Sequence, residues 1–197
     1  QRAGEGDEQL FIRAIISKRQ VYVNEPVIVT YRIYTLVQVA GMGQPKIAPS
    51  PGFWVEDFDI GQTLQQREEI YNGRKYVVAD IKKSAYFPTS PGAKTIQSMV
   101  IPFDVRTASR RRSNDIFDSF FDDPFFSRVV RKEVATRPVD IDVLALPDEG
   151  KPADFNGLVG QFKLDADLDK QTAQTNEAIT LKVRFSGTGT VRTMPKP

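Results

Sequence analysis

A chain of 197 residues with no cysteine and no histidine has no disulfide framework, no thiolate nucleophile, no Ser-His or Cys-His dyad and no ordinary zinc site, which excludes most enzyme classes and leaves carboxylate or lysine chemistry. Its 40% hydrophobic and 26% charged residues suffice for a packed core. The net charge of +2 gives no global attraction to nucleic acid or to an anionic membrane, and no run approaches the roughly 18 apolar residues needed to cross one.

Residues 1–9 are polar, without the apolar centre of a signal peptide, and are expected to form a disordered tail. Residues 10–17 alternate, with Ile12, Ala14 and Ile16 on one face and Arg13 and Ile15 on the other. Asn24-Glu25-Pro26 marks a turn that feeds a strand in which Val27, Val29, Tyr31 and Ile33 are expected to face a core, with Thr30 and Arg32 toward solvent. Residues 40–52 hold three glycines and three prolines and read as a connection. They lead into residues 53–58, where Trp54 is expected to plug the core. Residues 62–71 and 74–87 read as strands joined by a tight hairpin at Asn72-Gly73. Residues 94–106 read as one strand, bulged or edge-facing because of Pro102. Residues 128–146 read as a final strand pair or one bent strand about Pro138, and residues 147–154 as a linker.

A repeat organises this pattern. Shifted by 152 positions, Asn24, Glu25, Val27, Val29, Tyr31, Arg32 and Ile33 align with Asn176, Glu177, Ile179, Leu181, Val183, Arg184 and Phe185, and Leu164, Ala166 and Leu168 repeat the first alternating strand. The expected fold is all-β: a first antiparallel β-sandwich domain over residues 10–146, and the N-terminal part of a second over 155–197, with Ile179, Leu181, Val183 and Phe185 facing its core. Without an initiator Met and stopping within a repeat, the chain reads as an excised piece, its targeting and anchoring segments expected outside it.

Residues 107–127 break the β pattern. If Asn114 caps a short helix that Pro124 ends, Ile116, Phe117, Phe120 and Phe121 share one face and Asp118 and Asp122 turn away. Two readings stand side by side. The insertion either folds back as a core cap or mobile loop, or docks on a partner through Phe117, Phe120, Phe121, Phe125 and Phe126, with Asp118 and Asp122 as an orienting acidic rim. Asp115, Asp118, Asp122 and Asp123 lack the spacing and glycine of an EF-hand loop, and the arginines at 110, 111 and 112 lie beside acids that cancel much of their field, so neither a resident metal nor nucleic acid is expected. Asp165, Asp167 and Asp169 read as the wet face of an edge strand. Glu56-Asp57 and Glu68-Glu69 point to opposite faces and make no acid/base pair alone. The glycines at 187 and 189 follow a strand with no helix signal, so they mark a turn rather than a phosphate cradle, and no cofactor is expected.

The segments VYVNEPVIVTYRIYT (21–35), PSPGFWVEDF (49–58), the hairpin before YFPTSPG, the Phe/Asp insertion and the stretch 151–189 together resemble the BatD family of aerotolerance-associated proteins. The similarity runs over nearly the whole chain and contains no catalytic signature. It implies an extracytoplasmic protein of tandem immunoglobulin-like domains, delivered by a signal peptide and held to the bacterial inner membrane by a C-terminal helix. It also implies periplasmic localisation, partners carrying von Willebrand factor A domains, and an indirect link to a MoxR-type ATPase. This sequence carries neither the signal nor the anchor. The function expected is a non-enzymatic interaction scaffold linked to aerotolerance or stress, in which Asp118 or Asp122 completes a partner's divalent-metal site. The alternative is a glycan-binding or adhesive module with an exposed aromatic platform; an enzyme, which needs two facing carboxylates in a cleft, comes third.

Overall fold

The computed structural model describes residues 9–61, 63–107 and 128–189, and every regular element among them is a strand. In order these are β1 (Leu10–Ile16), β2 (Gln20–Tyr22), β3 (Val27–Thr35), β4 (Val39–Met42), β5 (Lys46–Ile47), β6 (Phe53–Asp57), β7 (Gln66–Tyr71), β8 (Arg74–Pro88), β9 (Gly92–Ile96), β10 (Met99–Thr107), β11 (Arg128–Ala135), β12 (Val139–Leu144), β13 (Gly160–Leu168) and β14 (Leu181–Gly189). One sheet runs β1-β3-β8-β6 with β7 also on β8, a second β11-β10-β4 with β5 also on β10, a third β2-β12-β9, and β13 pairs only with β14. All pairings are antiparallel except β2 with β12.

The long strand β8 joins the first sheet together. Asn72 and Gly73, both at positive φ (49° and 77°), make the tight turn that returns β7 onto its first half, and β6 pairs with its second half. Opposite β3, one extra residue breaks the register: Tyr31 faces Lys82, whereas Arg32 faces Asp80. The bulge sends Ile81 into the core while Lys82 reaches Asp57.

Alternation fills the space between the sheets. Val27, Val29, Tyr31 and Ile33 of β3 meet Met99, Ile101, Phe103 and Val105 of β10, with Ile96, Ile141 and Val143 behind them. Tyr31 and Tyr86 solve their polarity within this core by a hydroxyl–hydroxyl bond of 2.9 Å.

Several expectations are corrected. Residues 94–106 are not one strand: β9 and β10 belong to different sheets, and β10 is central rather than an edge. Pro102 is tolerated there because its carbonyl accepts from Gly43 (2.8 Å) in the break between β4 and β5, so its missing N–H falls where no strand needs a donor. A bulge does follow, at Asp104/Val105 against β4. Residues 128–146 divide into β11 and β12, again in different sheets. Trp54 is no core plug. Phe53 turns inward, edge-on to Tyr86 at 5.8 Å, so Trp54 falls on the opposite face, half-buried and stacked on Phe87 at 5.0 Å. That face is not simply wet, for Phe11, Tyr34, Tyr76 and Val78 form a second buried cluster on it.

The repeat reappears in atomic detail. In the first copy Lys18 pairs with Glu25, the Glu25 carboxylate accepts from the Tyr22 amide (3.0 Å), the Glu25 amide donates to the Tyr22 carbonyl (3.0 Å), the Ser17 amide donates to Ile28, and Asn24 sits at φ 64°. In the second, Lys170 pairs with Glu177, the corresponding bonds to Gln174 are 2.9 and 3.0 Å, the Asp169 amide donates to Thr180, and Asn176 sits at φ 69°. The two hairpins share a register, Ile12 opposite Ile33 and Leu164 opposite Phe185. The apolar residues of the second copy do share one face, but among the described residues nothing buries them, and Ile179 precedes the strand instead of joining it.

Candidate functional site

The core opens at one end of the first sandwich. β4 has only four residues, so it leaves the inner face of β3 and of the first half of β8 incompletely covered. The result is a cleft of about 710 Å³ with an apolar floor and a mixed rim. Its floor is Ile33, Ala79, Ile81 and Phe103, all buried, and its rim includes Leu36, Met42 and Val77, exposed by 43%, 42% and 41%. The Glu68–Lys75 ion pair (2.6 Å) lies at the lip, both side chains largely in solvent.

The lip is built by a local device. The Thr35 hydroxyl both donates to the Val37 carbonyl (2.7 Å) and accepts from the Val37 amide (3.1 Å), turning the chain so that Leu36 leaves the strand alternation. The Leu36 amide is held by Gln9 (2.8 Å), and the Gln38 carbonyl by the Arg106 amide (2.9 Å). The last described residue of β10, Thr107, is next to Arg106 and opposite Arg128 of β11. β10 therefore ends, at Thr107, next to a residue bonded to Gln38 of the cleft lining, and the Phe/Asp segment follows it in sequence. The residues predicted for docking, Phe117, Asp118, Phe120, Phe121, Asp122, Phe125 and Phe126, lie outside the described residues, as do Asp115, Asp123 and the arginines at 110, 111 and 112.

Charges on the outer face of the first sheet are mutually satisfied. Arg32 grips Asp80 through Nε (2.6 Å) and a second guanidinium nitrogen (3.3 Å), and Glu69 through the third (2.9 Å); Glu69 also accepts from the Tyr34 hydroxyl (2.8 Å). Partial burial alone would raise the Asp80 carboxyl, but hydrogen bonding and charge from Arg32, with Arg67 behind it, hold it below the usual range. The Arg13 guanidinium lies 4.6 Å from the Tyr71 ring centre, extending the pattern over the aromatic cluster. Burial together with the Glu69 bond raises the Tyr34 hydroxyl.

The carboxylate neighbours separate as strand alternation requires. Glu68 pairs with Lys75 at the cleft, while Glu69 goes to Arg32 on the other face. Asp57 accepts from Ser84 (2.7 Å) and pairs with Lys82, and these partners outweigh the upward push of burial to keep its carboxyl low. Among the described residues no group of three His, Cys, Asp or Glu converges as metal ligands.

The cleft was missed by sequence reasoning, although Leu36 and Val37, apolar residues directly after a strand and next to a glycine-rich stretch, carried a signal for it. Comparison with protein-family models, with curated proteins and with solved structures found no match for this chain.

Proposed function

We propose that this chain belongs to a non-enzymatic periplasmic interaction scaffold of the BatD type, linked to aerotolerance or stress. Tandem immunoglobulin-like domains, anchored to the inner membrane by a segment outside this chain, would present surfaces to partners carrying von Willebrand factor A domains, with a MoxR-type ATPase linked indirectly. The observation that carries the reading is the cleft, with its apolar floor and exposed rim, beside the end of β10 that the Phe/Asp segment follows in sequence. Such an opening suits apolar anchors better than it suits charged chemistry. The ion pairs nearby already satisfy one another, which favours scaffold over proton-transfer machinery.

The test is a crosslinking pull-down of the full-length membrane protein, followed by binding of the captured von Willebrand A partner to protein lacking residues 110–126 and to a Val77→Glu variant. Both changes are expected to weaken binding at least about tenfold, a loss of roughly 1.4 kcal/mol. Unchanged binding in both would overturn the reading.

A second reading, a glycan-binding module, is favoured by one observation: Trp54 is half-buried and stacked on Phe87 on an outer face rather than sealed in the core. Trp54 is the only tryptophan, so its fluorescence reports on that face alone. A flat titration with peptidoglycan-derived and other bacterial oligosaccharides would remove this alternative.

A further inference from the structure

Asn72 and Asn156 are each followed by glycine, whereas Asn24 and Asn176 are followed by glutamate. A glycine amide, with no side chain beside it, is the least hindered neighbour an asparagine can have. The fold treats the two Asn-Gly pairs in opposite ways. Asn72-Gly73 forms the whole turn between β7 and β8, both residues at positive φ, and is held by pairing that runs up to Tyr71 opposite Arg74. Asn156-Gly157 lies in the strand-free stretch between β12 and β13, with Asn156 exposed.

The surroundings of Asn156 favour ring closure. Its Oδ1 accepts from the Leu158 amide (3.3 Å), a bond that folds the side chain back over its own main chain, toward the intervening Gly157 nitrogen. The same donor faces the oxygen on which negative charge gathers when Cγ is attacked, as a backbone amide does in an oxyanion hole. Among the described residues the Gly157 amide donates to no acceptor, so no hydrogen bond has to break before it reacts. The Gly157 carbonyl, in contrast, accepts from Asn24 Nδ2 (3.2 Å), which ties the connector before β3 to the segment leading into β13.

We infer that Asn156-Gly157 is a site of self-modification, and that its conversion to isoaspartate releases the Asn24 side chain from the Gly157 carbonyl. Hydroxide takes the Gly157 amide proton, and the nitrogen lone pair bonds to Asn156 Cγ. The side-chain nitrogen takes a proton from water, the Cγ–Nδ2 bond breaks, and ammonia leaves a five-membered succinimide. Water then adds to one imide carbonyl, and the carbon–nitrogen bond on that side breaks. Opening at the main-chain carbonyl gives isoaspartate; opening at Cγ gives aspartate. No oxidant or reductant takes part. In isoaspartate the main chain runs through Cβ and Cγ, one carbon longer than before, which displaces the Gly157 carbonyl from Asn24. The same closure at Asn72 requires the main chain to leave the tight turn and break the end of the β7–β8 pairing, so that site is protected.

The test holds the 197-residue chain in warm, mildly alkaline buffer made with heavy-oxygen water, with a parallel sample unfolded in urea. Peptide mapping by mass follows each site, and an isoaspartate methyltransferase counts the product. In the native protein Asn156 is expected to convert at least about tenfold faster than Asn72, and in urea the two are expected to convert at similar rates. The NMR signals of the Asn24 side-chain amide are expected to shift in step with isoaspartate at position 156. Equal conversion at the two sites in native protein, or faster conversion at Asn72, would overturn the inference. So would the same preference for Asn156 in urea, which would assign it to sequence alone, or isoaspartate that accumulates while the Asn24 signals stay in place.

Discussion

Replacing Arg32 by Met keeps the length and apolar stem of the side chain but withdraws the charge that holds Asp80 and Glu69 together on the first sheet. Arg32 makes three hydrogen bonds to carboxylates, at 2.6, 2.9 and 3.3 Å. A hydrogen bond to a charged group contributes about 1.5–3 kcal/mol. The side chains here are 20% exposed for Arg32, 32% for Glu69 and 36% for Asp80, so solvent screening leaves about 2 kcal/mol for the whole cluster. With a urea dependence of about 2 kcal/mol per molar, the unfolding midpoint should fall by about 1 M. Trp54 fluorescence follows it, because Trp54 pairs in register with Phe87 of β8, the strand that carries Asp80. The pH dependence adds a sharper check. Asp80 has a depressed folded-state value, so its contribution is present above the unfolded value of about 4 and is lost as the pH falls through that value and below it. The gap between native and Arg32→Met proteins should therefore be widest near neutral pH and shrink toward about pH 3. The double variant Arg32→Met/Asp80→Asn should recover part of the loss by removing the stranded carboxylate. A midpoint change under about 0.3 M, or a gap that stays constant on acidification, would refute the electrostatic account.

Gly187→Ala should disrupt the β13–β14 pairing, because φ is 156° and an added Cβ would stand 2.0 Å from the Gln161 carbonyl oxygen; amide exchange in residues 160–189 should accelerate while the Trp54 transition stays in place. Gly73→Ala, where φ is 77° but nothing lies within 4 Å, should cost only about 1 kcal/mol in the same urea assay, since the strain is conformational and not a clash. Tyr31→Phe strands the Tyr86 hydroxyl in the core and should cost about 1–2 kcal/mol, whereas Tyr31→Phe/Tyr86→Phe should cost less than the sum of the two single changes; strict additivity would show that the hydroxyls do not interact.

The parts of this molecule that were legible in its sequence are those governed by near neighbours. The Asn72-Gly73 hairpin and the core-facing residues of β1 and β3 follow from backbone stereochemistry and a period of two, and both stand as expected, whereas the outer face of these strands is not simply wet, since Phe11 and Tyr34 are buried on it. The errors arise where the fate of a segment depends on a distant one. Nothing local says that β9 and β10 part company at Gln97 and Ser98, or that Pro102 is harmless because β4 and β5 break opposite it. Size alone does not place Trp54: only one of two consecutive aromatics can face the core, and register with Pro88 and Phe87 selects Phe53. The cleft was illegible for a related reason, being a gap left by the shortness of β4 rather than a feature of any one segment.

The comparison between the two hairpins separates what the repeat specifies from what it leaves open. The Lys-Glu pair, the left-handed Asn and the two bonds of the connector recur almost atom for atom, so it is the connector that sets hairpin phase and register. The inward side chains do not recur in kind. Tyr31, which needs the Tyr86 hydroxyl as a partner, is matched by Val183, which needs none, and Ile33 by the larger Phe185. The shared connector therefore does not dictate the side chains that the two hairpins turn to their apolar faces. The outer faces differ in the same sense, since Asp165 stands opposite Arg184 where Arg13 stands opposite Arg32. In the first unit Arg13 lies over Tyr71, and Arg32 draws its acids from β7 and β8; in the second, Asp165 is opposite Arg184 in register and pairs with Lys163 of its own strand. Units built on one connector thus expose different outer faces.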